Sequence, residues 1–169
     1  MDTAWRKSGL MAKKEEKTNA MRMLDRSKMN YLIHRYDCDE FLSGTEVAQM
    51  LNEPCEKVFK TIVVQGISKT YYVFCLPVHK ELDLKKCAKT AGEKSVDMVY
   101  KLDLEKLTGY IAGGCSPIGM KKQFKTWIDE SCLQFDSIYF SGGKRGIQIE
   151  MNPKDLISFV SAKTASLTK

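Results

Sequence analysis

Residues 58–78 constrain the fold more than any other segment. Val58 to Gln65 is rich in β-branched side chains, Thr70 to Val78 is aromatic and apolar, and Gly66 to Lys69 between them has turn composition. The pattern predicts two antiparallel strands joined as a hairpin. Around it, helical and extended segments are interspersed. A capped helix is expected from Thr18 and a strand over Tyr31 to Tyr36, followed by a helix opened by the capping-box pair Ser43 and Glu46 and ending near Pro54. Leu84 to Ala91 reads as a helix stopped by Gly92, Ser95 to Val99 as a short strand, and Asp103 as the opening of a helix ended by Gly109. Trp127 to Asp129, Ser137 to Ser141 and Ile147 to Met151 read as strands, the last two joined across Gly142 and Gly143. Asn152 and Pro153 then start a C-terminal helix with an apolar stripe of Leu156, Phe159 and Val160. The class is mixed α/β, with more hairpins than crossovers.

With 169 residues, 43% of them hydrophobic, the chain is the size of one domain and needs no disulfide or metal staple. Residues 1–17 read as a flexible charged tail and 18–165 as the folded unit. No apolar run approaches the roughly 18 residues of a membrane span, and no secretory leader is legible, so a cytoplasmic protein is expected. The six cysteines form no C-x-x-C pair and only His34 and His79 accompany them, so no structural metal is expected. The net charge of +6 permits a nucleic-acid partner without requiring one.

Three segments break local rules. Lys60 alternates with Val58, Ile62 and Val64, which makes it either a snorkelling stem or a cation held in a cleft for an anion. Residues 109–119 form a Gly-rich loop, GYIAGGCSPIG, whose main-chain N–H groups could approach a carbonyl or phosphate oxygen, or which is a plain turn. Ser141 to Gly146, SGGKRG, lacks phosphate-loop spacing and reads as a basic hairpin tip or an RNA backbone contact. No nucleophile with a partnered base can be assembled, and Cys115 is expected not to be one.

Taken in order, Ile33-His34-x-Tyr36, Val58-Phe59-Lys60-Thr61, Leu82 to Lys86, Gly113 to Gly119 and Ser141 to Ile147 resemble the YbaK/EbsC aminoacyl-tRNA deacylases, kin of the editing domain of bacterial prolyl-tRNA synthetases. The Ser-Gly-Gly-Lys-Arg-Gly hairpin is similar to that of the branch acting on Cys-tRNA(Pro) and Cys-tRNA(Cys). The resemblance implies a single α/β domain with a mixed, largely antiparallel, barrel-like sheet flanked by helices. It implies a trans-acting enzyme, an ester hydrolase or thiol-dependent lyase, that removes cysteine from mischarged tRNA(Pro) without a cofactor. Its expected partners are the aminoacyl-tRNA acceptor end and prolyl-tRNA synthetase, and its expected state a monomer or weak homodimer. Lys60, Gly113 and Gly114 are implied as catalytic. Tyr36, Thr61, Cys115, Ser116, Pro117, Ser141 and Gly142 are implied as substrate-binding. Gln148 stands where some members carry an acidic side chain, so no carboxylate base is available there. The other readings are a noncatalytic module binding the tRNA 3′ end or a nucleotide, and a deacylase for another amino acid such as alanine.

Overall fold

A computed structural model describes residues 17–38 and 40–169. The tail expected over residues 1–17 therefore lies, except for Lys17, outside the described residues. Five helices are present among those described: α1 (Asn19–Arg26), α2 (Gly44–Leu51), α3 (Leu84–Ala91), α4 (Lys101–Thr108) and α5 (Pro153–Phe159). The strands are β1 (Leu32–Arg35), β2 (Phe59–Gly66), β3 (Tyr71–Pro77), β4 (Val96–Met98), β5 (Lys125–Asp129), β6 (Ile138–Ser141), β7 (Ile147–Met151) and β8 (Lys163–Ala165).

Local chemistry sets most boundaries. The Thr18 hydroxyl accepts from the Met21 N–H, and Ser43 and Glu46 form the reciprocal capping box. Asn52, in the left-handed region at φ 57°, closes α2 before Pro54 is reached. Helix α4 starts at Lys101, earlier than Asp103, because the Tyr100 carbonyl already accepts from the Asp103 and Leu104 N–H groups. Asp103 lies in the first turn, where a carboxylate favours the helix dipole, and does not cap it. Strand β8 and the 3-10 turns Cys55–Lys57 and Glu130–Gln134 carry no alternation that a sequence reading could find.

The fold is the expected mixed α/β arrangement, but its strands form two sheets and no closed barrel. One has the order β1-β7-β6, all antiparallel; the other has the order β4-β2-β3-β5-β8, in which β3, β5 and β8 are mutually parallel. A parallel bridge from Val58 to Tyr139 ties them together. The larger sheet is buried on both faces, which explains the unbroken apolar run of β3. Val73 and Cys75 face a core shared with α1, β6, β7 and α5, while Tyr72, Phe74 and Leu76 face a second core under α3. Phe74 stacks on Trp127 with ring centroids 5.5 Å apart. Leu167, fully buried, donates its N–H to Asp129 at 3.0 Å, so the packed unit continues beyond residue 165.

Candidate active site

A cavity of about 260 Å³ opens where β4 ends and leaves part of β2 uncovered. A strand edge presents both of its faces, so both alternation sets of β2 line the cavity, Lys60 and Ile62 as well as Phe59, Thr61 and Val63. Opposite stand Gly113 and Cys115 of the Gly-rich loop, Ser141 at the end of β6 and Gln148 on β7. Val99, Lys101 and Leu104 close one side; Phe41 and Val78 close another. Among the described residues, none of those lining it is acidic.

Long-range contacts hold the Gly-rich loop. The Tyr110 hydroxyl donates to the Ile118 carbonyl at 2.7 Å, Asn19 Nδ2 to the Gly119 carbonyl at 2.8 Å, and Arg145 Nε to the Ala112 carbonyl at 3.0 Å. Gly113 has φ +83°, and a Cβ there would lie 3.2 Å from both the Phe41 ring and Arg145 Nε. The Gly114 N–H is already committed to the Ile111 carbonyl at 2.9 Å, so a ligand oxygen must be met by its neighbours. The N–H groups of Gly113 and Cys115 have no acceptor among the described residues. Ser116, fully buried, accepts from the Ile118 N–H through its hydroxyl.

Burial pulls Lys60 below the ordinary lysine range, partly offset by the Glu81 charge. A half-buried ammonium beside main-chain donors suits an anionic or strongly polar ligand. Burial also pushes the Cys115 thiol up to about 12, which leaves it protonated at neutral pH and poor as a nucleophile. Among the described residues no group of three His, Cys, Asp or Glu side chains is placed to hold a metal ion.

The sequence profile of the aminoacyl-tRNA editing domain family matches residues 42–159, which hold the whole cavity wall except Phe41. The chain belongs to this family. It is 45% identical over 161 residues to the Enterococcus faecalis protein named "Putative Cys-tRNA(Pro)/Cys-tRNA(Cys) deacylase EbsC", covering 94% of this chain and 98% of that one. It is 24% identical over 118 residues to the uncharacterized protein YwhH of Bacillus subtilis, 70% of this chain and 74% of the relative. A solved structure described as "a putative trans-editing enzyme for prolyl tRNA synthetase" superposes with a TM-score of 0.79 at 21% identity, over 92% of this chain and 99% of the other. At that identity the match speaks for the fold.

Within this editing domain, the expected site residues fall into two groups. Lys60, Thr61, Gly113, Cys115 and Ser141 line the cavity. Tyr36, Gly114, Ser116, Pro117 and Gly142 are not among its lining residues. The Tyr36 N–H donates to the Gly146 carbonyl, and its hydroxyl bonds the Gln148 side chain. The Gly142 N–H donates to the Ile147 carbonyl, and a Cβ on Gly142 would sit 2.7 Å from Ile147 Cγ2, so this glycine closes the hairpin. Phe41, Val99, Lys101 and Leu104 come from segments with no motif; they join the wall through tertiary placement alone. Gln148 was visible only as an acidic position changed to an amide.

Proposed function

We propose that this editing domain removes cysteine from mischarged tRNA(Pro), acting in trans and without a cofactor. The observation that carries this reading is the joining of Lys60 and the Gly113–Cys115 loop at one cavity whose lining residues include no acidic or histidine side chain to activate a nucleophile. The 45% identity to a relative bearing the Cys-tRNA deacylase name supports the same reading. Lys60 binds the terminal adenosine or its phosphate, while the Gly113 and Cys115 N–H groups receive the charge that develops on the ester carbonyl oxygen.

A site without an activated nucleophile suits a substrate that brings its own. The cysteinyl thiol loses its proton and attacks its own carbonyl carbon; the carbon–oxygen bond to the ribose breaks, and the ribose oxygen takes up a proton. The resulting strained thiolactone leaves and is hydrolysed by water. The protein contributes orientation and electrostatic stabilisation, and the thiol itself discriminates against alanine. Net charge +6 favours contact with the acceptor end of tRNA. Prolyl-tRNA synthetase is the proposed partner, the cytoplasm the proposed location, and a monomer or weak homodimer the proposed state.

The test is release of amino acid from Cys-tRNA(Pro) and from its S-methylcysteinyl counterpart. Rapid loss of cysteine with the methylated ester stable supports substrate-thiol attack. Equal loss of both points to water as the nucleophile, and retention of both on bound tRNA points to a noncatalytic module.

A further inference from the structure

Large apolar side chains are left in solvent around the mouth of the cavity. Phe41 and Met98 line it and are about half exposed. Tyr100 at 79% and Leu102 at 88% are the most exposed large hydrophobic side chains among the described residues. They flank Lys101, which lines the cavity, and follow Val99, which also lines it and whose N–H donates to the Val63 carbonyl at 3.0 Å. The junction of β4 and α4 is thus anchored to β2 at the cavity while two of its side chains stand in water. Helix formation does not account for an aromatic at position 100. The Tyr100 carbonyl closes the first turn of α4, but its side chain makes no capping bond, which Ser, Thr, Asp or Asn would make there. Its ring has no aromatic or cationic neighbour among the described residues.

A cation without a counter-ion stands between these two side chains in sequence. The Lys101 ammonium rests 5.2 Å from the Phe41 ring centroid and has no carboxylate partner among the described residues. The Arg145 guanidinium lies over the same ring, and Lys60 adds a positive charge to the cavity wall. Asp97 and Asp103 flank the segment in sequence, and neither lines the cavity. The mouth therefore favours an anion.

An exposed ring beside an unpaired ammonium is the means by which proteins hold single-stranded nucleic acid: bases stack on the ring and phosphates meet the cation. On the deacylase reading, on which this inference rests, such a strand is present by necessity. A cavity of about 260 Å³ is small for a ligand pocket and takes the aminoacyl group with at most the nucleoside that carries it. The two unpaired cytidines that precede the terminal adenosine must then cross the rim. We propose that Met98 to Leu102 is the platform for them, with the Tyr100 ring stacked on the penultimate base and Lys101 Nζ on the phosphate that joins it to the adenosine. A protein partner would also cover these apolar side chains; the strand is favoured because it is tethered to the occupant of the cavity and is anionic beside Lys101. Both cytidines end every tRNA, so the platform strengthens binding without choosing among tRNAs.

The test uses two stable probes with a 3′-cysteinyl amide in place of the ester, one on adenosine alone and one on the trinucleotide CCA. The full chain should bind the trinucleotide about tenfold or more tightly than the nucleoside, the value of a stacked base. Tyr100→Ala should remove most of that gain and leave the affinity for the adenosine probe unchanged, whereas Tyr100→Trp should keep it. Lys101→Met should reduce the slope of log affinity against log salt for the trinucleotide by about 0.7, the share of one phosphate on a single strand; an unchanged slope overturns the assignment of Lys101. Failure of both probes to bind, equal affinity for the two, or a gain that survives Tyr100→Ala overturns the platform. A surviving gain with weakened self-association or weakened binding to prolyl-tRNA synthetase in Tyr100→Ala makes the patch a protein interface instead. If the platform fails while Cys-tRNA(Pro) is still cleaved, the function stands. A gain that depends on Tyr100 in a protein that cleaves no ester keeps the platform and removes the reaction.

Discussion

Arg145 Nε, on the β6–β7 hairpin, donates to the Ala112 carbonyl at 3.0 Å and so fastens the Gly-rich loop to a strand pair 33 residues away in sequence. The same guanidinium lies over the Phe41 ring, 5.3 Å from its centroid, with the Lys101 ammonium 5.2 Å from that centroid. The basic hairpin is thus a clamp on the Gly-rich loop. Arg145→Ala should lower kcat about tenfold or more by freeing the loop, with a smaller change in KM. Arg145→Lys should restore little, because Nε is the donor that reaches Ala112. Steady-state deacylation by the two variants checks this; a change confined to KM would assign Arg145 to RNA binding instead.

Lys60 links activity and stability in opposite directions. Its lowered folded-state value means that the fold favours the neutral amine: the stabilisation is present above the unfolded value of 10.5 and lost as pH falls through the folded value. At neutral pH the buried charge is therefore a burden. Lys60→Met should leave the melting temperature unchanged or higher while reducing deacylation about a hundredfold. Thermal unfolding and single-turnover kinetics measure both effects.

Burial sets thiol reactivity. Cys38 and Cys55 are half-buried, whereas Cys115 is 6% exposed with its thiol held at about 12. Iodoacetamide at pH 8 should modify the first two well before Cys115. Cys115→Ala should slow deacylation by less than about tenfold, and no cysteinyl-enzyme adduct should accumulate. Complete loss of turnover in a folded Cys115→Ala protein contradicts this.

Glu150 accepts from the Ser137 hydroxyl at 2.5 Å and meets His34 Nε2 at 2.8 Å. Burial alone would raise its value, but the bonds from Ser137 and His34 together with the His34 charge outweigh that and lower it. The stabilisation is present above the unfolded value of 4.5 and is lost as pH falls through the lower folded value. Glu150→Gln should cost about 1 kcal/mol at pH 7 and make the fall in stability below pH 4.5 shallower. Urea midpoints for both proteins across pH 3 to 7 check it; parallel curves would contradict it.

The chain's local signals and its tertiary closures were unequally legible in sequence. Thr18, Ser43 with Glu46, Gly92, and Asn152 with Pro153 mark helix ends because capping acts over three or four residues. The β2–β3 hairpin is equally local. Lys60 and the Gly113–Cys115 loop stood out as local anomalies and do share a cavity. Gln148 is another matter: its Oε1 becomes an orphan only through packing. Strand β8, at the sheet edge, lacks alternation because just one neighbour, β5, specifies it.

The most direct test of the central claim is amino acid release from separately prepared Cys-tRNA(Pro) and Ala-tRNA(Pro), at one salt concentration, by the native protein and by Lys60→Ala. The account predicts rapid loss of cysteine alone, abolished by the substitution. Release of alanine in preference to cysteine, or release of cysteine undiminished in Lys60→Ala, would contradict it.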